Sequence, residues 1–176
     1  MTPSFGGASP GFTIHATKKL LDRVKRPLRE AVEPPSALGN WYATALFWKP
    51  QVALFVNERT LLPVFVPLAP ASELGRRFPD ELRRVLDAHG VDPRFVDEEI
   101  RSMGDGRFAK TASRSVLGVM NEFAFLGRVH RERHGEDTDL VALSVRLSET
   151  PTSPLYKRHV SPDRELHALM ARVMGD

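Results

Sequence analysis

The sequence predicts an α+β domain in which an antiparallel β-meander sheet packs against several α-helices. Three apolar stretches between residues 41 and 68 follow one another with short turns between them, as the strands of a meander do. Helical repeats occupy most of the remaining chain, so the regular β-α-β alternation of a doubly wound sheet is absent. The 176 residues are typical of one domain, and we assign residues 12–176 to it.

The chain before the meander is predicted to contain a tail, a strand and a helix. Residues 1–11 are rich in Gly, Pro and Ser, which is typical of a disordered tail. Apolar residues alternate over residues 12–16, as in a short strand. They then recur at helical spacing over residues 17–28, where Pro27 ends or kinks the helix.

The three meander strands are predicted at residues 41–48, 52–56 and 61–68. The turns between them contain Pro, Asn and charged residues. Pro63 and Pro67 have no N–H to donate to a ladder, so the third strand is expected to lie at a sheet edge, at least in part.

Helices dominate the rest of the chain. A helix is predicted over residues 72–89, kinked or split by Pro79, and another is opened by Asp92 and Pro93. A short strand is expected at residues 107–111, followed by a long helix from Ser113 to about Arg133.

Two elements complete the prediction. Residues 141–147 alternate apolar and polar side chains, which predicts a half-buried strand. Ser161 and Pro162 then open a final helix.

Composition excludes several classes of function. The chain has no Cys, which rules out disulfide scaffolds, thiolate zinc sites, iron–sulfur clusters and a Cys nucleophile. No apolar run reaches the ~18 residues of a membrane span, and the start is unlike a signal peptide. We therefore expect a cytoplasmic protein with no membrane association, no cofactor and no metal. The net charge of +3 is mildly basic.

Two motif-like patterns are rejected. Residues 104–111 resemble a phosphate-binding loop, but Ala109 replaces the second Gly that lets backbone amides wrap the phosphates. His130 and His134 have a zinc-compatible spacing on a helix, but Arg131 stands where the metalloprotease motif requires Glu.

The first candidate site is the start of the long helix. Lys110, Thr111 and Arg114 supply cations and a hydroxyl where a helix start attracts anions. Asn121 lies near the same helix face as Arg114. The structural alternatives are that Ser113 acts as a cap beside solvated cations and that Asn121 is buried and ties down a loop.

The second candidate is the cationic cluster formed by Tyr156, Lys157, Arg158 and His159 between two prolines and a helix start. Lys and Arg can contact phosphate, and Tyr or His can stack on a base. The alternative is an exposed charged loop. A third basic run spans residues 17–29 and, with the arginines between 76 and 84, forms either a nucleic-acid face or solvated helix surfaces.

Five segments of the chain resemble an uncharacterised bacterial family catalogued as domain of unknown function 6933. They read HATKKLLDRV, LGNWYATALF, LFVNERTLLPV, AKTASRSVLGVMNEFAF and SETPTSPLYKRHVSPDRELHAL. The resemblance implies a compact α+β bacterial protein and brings no established activity, cofactor or catalytic residue. It places the family's signature at Lys110–Asn121 and Tyr156–His159.

The leading functional hypothesis is a binding module for an anionic ligand, either nucleic acid or a phosphorylated small molecule, held in a cationic cleft. It requires Arg114 and Lys157 to converge. The first alternative is a metal-independent phosphate-ester enzyme with His159 as acid or base. The second is a protein-interaction module that uses the edge strand at residues 61–68, with an unknown protein partner.

Overall fold

The sheet is mixed, with an antiparallel half and a parallel half. The computed structural model describes residues 11–135 and 137–175. Its five strands lie in the order β4-β3-β2-β1-β5. They are β1 (Thr13–Ala16), β2 (Trp41–Leu46), β3 (Val52–Asn57), β4 (Pro63–Pro67) and β5 (Arg107–Lys110).

The predicted meander is confirmed for β2, β3 and β4, but the sheet extends beyond it. β1 pairs in parallel with both β2 and β5. Parallel neighbours need long crossover connections, and long segments of chain follow β1 and precede β5. The prediction of a wholly antiparallel sheet is therefore wrong, because turn chemistry reveals hairpins but not a strand that inserts between distant partners.

The helices cover both faces of the sheet. They are α1 (Lys18–Val24), α2 (Leu74–Ala88), α3 (Pro93–Met103), α4 (Arg114–His134), α5 (Leu140–Ser148) and α6 (Pro162–Gly175). One apolar cluster joins one sheet face to α1, α2, α3 and α6. The second joins the other face to α4 and α5. None of the helices in the described parts of the chain combines the length and apolar character needed to cross a membrane.

The predicted strand at residues 141–147 is wrong, since this segment is α5. The Asp139 carboxylate caps the helix by accepting hydrogen bonds from the amides of Val141 and Ala142. Leu143 and Leu147 are buried, as are the serines that follow each of them, and this is the i, i+4 pattern of a helix. Residues 143 and 147 lie on the same side in a strand and in a helix, because they are four residues apart. Alternation of apolar and polar residues was therefore not enough to distinguish the two elements.

The edge strand β4 is covered rather than free. It lies at one end of the sheet order, as predicted from its prolines. The amide of Phe65 donates to the hydroxyl of Ser144 in α5 over 2.8 Å. A satisfied outward N–H cannot recruit another strand, so the geometry does not favour strand addition here.

The chain after α1 runs along the outer side of β5. Helix α1 ends when Lys25 adopts a left-handed conformation, before Pro27 is reached. Leu28, which the helical repeat included in this helix, instead makes an isolated parallel bridge with Phe108 and is exposed. Of the predicted tail, all but Gly11 lies outside the described residues, and Gly11 is buried and bridges Gly104.

Candidate functional site

Four arginines line a hollow of about 390 Å³ beside the start of β5. Arg26 and Arg29 come from the segment after α1, Arg76 from the first turn of α2, and Arg107 from the first position of β5. We call this the arginine cavity. Its other lining residues are Pro27, Ser72, Gly75, Asp105, Gly106 and Phe108.

Backbone hydrogen bonds fix the walls of the arginine cavity. The amide of Arg29 donates to the carbonyl of Phe108 over 2.8 Å, which ties the segment after α1 to β5. The amide of Gly106 donates to the carbonyl of Gly75 over 3.2 Å. A Cβ on Gly75 would lie 2.8 Å from the Gly106 carbonyl oxygen, so the close approach of α2 requires glycine.

Two of the four guanidinium groups are engaged by the protein. Arg26 donates from Nε and Nη2 to the carbonyl of Ser72 over 3.1 and 2.9 Å, which holds its side chain in place. Arg76 pairs with Glu73, and both side chains are largely in solvent. A pair this exposed contributes little to stability.

The other two guanidinium groups have donors to spare. Within residues 11–135 and 137–175 the side chain of Arg29 makes no hydrogen bond or ion pair. The Nε of Arg107 is buried and has no hydrogen-bond partner. Asp105 is the one carboxylate among the lining residues. Guanidinium groups with free donors form charge-assisted hydrogen bonds with oxyanions, so the cavity is suited to an anion.

Two of the predicted site residues come together elsewhere. Arg114 and Tyr156 line one groove of about 360 Å³ between α4 and the loop that precedes α6. We call this the α4 groove. It shares no lining residue with the arginine cavity. The exposed Asn121 is not buried among apolar neighbours, so the alternative in which it ties down a loop is wrong.

Lys110 and Thr111 lie at the carboxyl ends of the parallel strands, where open sheets commonly bind ligands. A histidine that the sequence analysis did not single out stands next to them. The Nδ1 of His15 is 2.8 Å from the Lys110 carbonyl, and its ring stacks on Tyr42 with centroids 4.6 Å apart. Burial raises the pKa of Tyr42. His15 is nine-tenths buried, and its place depends on pairing between distant strands.

The cationic loop is largely engaged by one buried carboxylate. Glu165 in α6 is 1% exposed. It accepts a hydrogen bond from the Nη2 of Arg158 over 2.9 Å and another from the amide of His159 over 2.9 Å. Its carboxylate is also 3.2 Å from the Nδ1 of His159. Lys157 is exposed beside them.

The structure therefore divides the predicted residues among the α4 groove, the end of β5 and the loop at residues 156–159. Arg158 lines a separate hollow with Glu165, and Arg114 is not among the residues that line it. The basic run at residues 17–29 contributes Arg26 and Arg29 to the arginine cavity, joined there by Arg76. Arg107 escaped sequence reasoning because a single arginine in a four-residue strand carries no local signal.

Comparisons with known proteins give a family and no further relative. Neither a curated protein nor a solved structure matches the chain. The model of the family described as Domain of unknown function (DUF6933) matches residues 13–165. This span contains every strand of the sheet and most of the helices. The chain therefore belongs to the DUF6933 family, as its segments indicate.

Proposed function

We propose that this chain is a binding module for an anionic ligand and that the ligand's anionic group lies in the arginine cavity. The observation that carries the proposal is the pair of uncommitted guanidinium groups, Arg29 and Arg107, in one hollow with Arg26 and Arg76. Guanidinium groups match phosphate oxygens in geometry as well as charge. An anion in the cavity would accept hydrogen bonds from these guanidinium groups.

Two ligand sources fit this chemistry. A hollow of about 390 Å³ is within the usual range for small-molecule sites and takes a nucleotide-sized ligand. Lys18, Lys19 and Lys25 are exposed in and just after α1, close in sequence to Arg26, and would extend the contact along a nucleic-acid strand. The residues predicted from sequence stay a second, separate proposal for the same kind of ligand: Lys110, Thr111, Arg114, Asn121, Tyr156, Lys157, Arg158 and His159.

The test compares cavity variants with a variant of an exposed arginine on α4. Calorimetric titrations use inorganic phosphate, adenosine monophosphate and a 12-nucleotide single-stranded RNA, each at low and high salt. We expect Arg29→Ala and Arg107→Ala each to weaken binding by tenfold or more, since a charge-assisted hydrogen bond contributes about 1.5–3 kcal/mol. Arg133→Ala is the matched control, because it removes one exposed arginine of α4 that belongs neither to the cavity nor to the second proposal.

Salt dependence separates the two sources. For single-stranded nucleic acid, the logarithm of the binding constant falls by about 0.7 per tenfold increase in salt for each phosphate contacted. A slope of log affinity against log salt steeper than about −2 for the RNA therefore indicates binding of a strand. Binding of adenosine monophosphate with a shallow slope indicates a small-molecule ligand. The proposal fails if none of the three probes binds, or if Arg133→Ala costs as much affinity as Arg107→Ala.

A further inference from the structure

We propose that the α4 groove binds an extended peptide segment of about four residues, with a carboxylate at the Arg114 end and a cationic group at the Glu122 end. This site is independent of the arginine cavity, since the two share no lining residue. The proposal rests on the charges at the two ends of the groove, on its apolar floor and on a gap in the helix surface between them.

The charges at the two ends are opposite and uncommitted. In the described parts of the chain neither Arg114 nor Glu122 has a hydrogen-bond or ion-pair partner. They are eight residues apart on α4, about 12 Å at 1.5 Å per residue, which is too far for them to neutralise each other. Arg114 is also the first residue of the helix, where the helix dipole disfavours a cation. A ligand carboxylate at this end would relieve that repulsion.

The middle of the groove is open and apolar. Gly118 lies one turn from each charged residue on the same helix row, and a Cβ placed on it would meet nothing within 4 Å. Val119 and Phe123 are buried in the neighbouring row and form the floor, with Pro151 and Pro154 opposite. The absent side chain at residue 118 leaves room for another backbone to approach the helix closely.

The length and the rim favour a peptide. An extended chain rises about 3.3 Å per residue, so four residues span the distance between the two charges. Ser115, Ser153 and Tyr156 line the groove with hydroxyls that make no side-chain hydrogen bond within residues 11–135 and 137–175. A bound backbone needs such partners for its N–H and C=O groups. Glu122 opposes a polyphosphate chain, which carries negative charge along its whole length.

The experiment titrates the ¹⁵N-labelled chain with two synthetic tetrapeptides and follows amide shifts by NMR. One is Lys-Ala-Ala-Ala with a free carboxyl end, and the other is the acetylated and amidated Lys-Ala-Ala-Lys, which has cations but no carboxylate. We expect the first to shift amides around Gly118 and residues 150–156 and to bind at least tenfold more tightly. Arg114→Glu should reverse this preference, because both ends of the groove would then attract cations and repel the carboxylate.

Gly118→Leu is the blocking variant. The added side chain extends into open space in the free protein and replaces glycine within a helix, so the melting temperature should be unchanged or higher. The amide shifts caused by Lys-Ala-Ala-Ala should disappear, because the side chain fills the groove. Ala142→Leu, on an exposed position of α5 outside the groove, is the matched control and should bind as the parent does. Equal binding of both tetrapeptides, no shifts with either, or unchanged binding in a folded Gly118→Leu chain overturns the proposal.

Discussion

The loop at residues 156–159 and the arginine cavity have similar basic character and different electrostatic states. In the loop, Arg158 and the amide of His159 are engaged by the buried Glu165. In the cavity, Arg29 has no partner among the described residues and the Nε of Arg107 is buried without an acceptor. The number of cations in the sequence does not distinguish the two regions. In the fold, Glu165 neutralises much of the charge of the loop, whereas the cavity keeps guanidinium groups without a partner in the described parts of the chain.

The difference shows what a buried carboxylate does. Glu165 is 1% exposed, and a charge taken out of water that far must be paired or hydrogen-bonded. Its partners are therefore fixed by the fold. No buried carboxylate is among the described residues that line the arginine cavity, since Asp105 is exposed, and Arg29 and Arg107 therefore remain available to a ligand.

Glu165→Ala should destabilise the protein most. It removes the acceptor for Arg158 and for the amide of His159, and hydrogen bonds to a charged group contribute about 1.5–3 kcal/mol. We expect the free energy of unfolding, measured by urea denaturation, to fall by about 2–3 kcal/mol. Glu132→Ala, at an exposed position of α4, is the control and should change it by less than ~0.5 kcal/mol. A loss below 0.5 kcal/mol for Glu165→Ala, again by the surface-mutation scale, would show that the loop is not held by this carboxylate.

Phosphate should stabilise the parent chain and not a cavity variant. A ligand at ten times its Kd adds about 1.4 kcal/mol to the free energy of unfolding. Thermal unfolding in phosphate and in chloride, matched for ionic strength, measures this increment. We expect Arg107→Ala to lose this increment and Arg133→Ala to keep it. If Arg107→Ala responds to phosphate as the parent does, the cavity does not hold the anion.

Glu99 is a second buried carboxylate, and its partners are backbone amides rather than an arginine side chain. It tests how the partners of a buried carboxylate affect its pKa. It is 2% exposed and accepts hydrogen bonds from the amides of Ala37 and Leu38. Burial raises the pKa of Glu99 above its ordinary value of 4.5, although these amides and the charge of Arg59 oppose the rise.

A raised pKa favours the protonated carboxyl in the folded state. The stability that this group contributes is therefore full below its ordinary pKa and is lost as the pH rises through the raised value. We expect the free energy of unfolding of Glu99→Gln, relative to that of the parent, to increase as the pH rises above 4.5. This increase should be smaller than the effects of Glu165→Ala and of phosphate. Paired urea unfolding curves between pH 4 and pH 8 measure it. A difference that is flat with pH would mean that Glu99 is not held in a raised-pKa environment.

Much of the fold could be predicted from local chemistry. Asp92 and Ser113 cap the helices they were expected to open, since a short polar side chain before an apolar repeat is a direct signal. The meander was readable from its turns. The parallel placement of β1 between β2 and β5 was not, because β1 and β5 lie about ninety residues apart and nothing in either strand encodes the pairing.

The candidate sites were predicted less well for the same reason. Local helix and loop patterns marked Arg114 and Tyr156 as candidates but did not place them together, and in the structure both line the α4 groove. Arg107 meets Arg29 only because the segment after α1 runs along β5. The neutralisation of the loop at residues 156–159 could not be predicted either. In the sequence, nothing distinguishes Glu165 from other acidic residues at a helix start.

Arg29→Ala should have the smallest effect on stability. The side chain has no partner among the described residues, so its loss breaks no contact and should change the free energy of unfolding by less than ~0.5 kcal/mol. Because it relieves repulsion among the cavity arginines, the change should be toward greater stability at low salt and should vanish at high salt. Urea unfolding at the two ionic strengths measures this. A loss above 1 kcal/mol, well beyond the surface-mutation scale, would mean that the fold itself uses Arg29, and the contrast between an engaged loop and an open cavity would no longer hold.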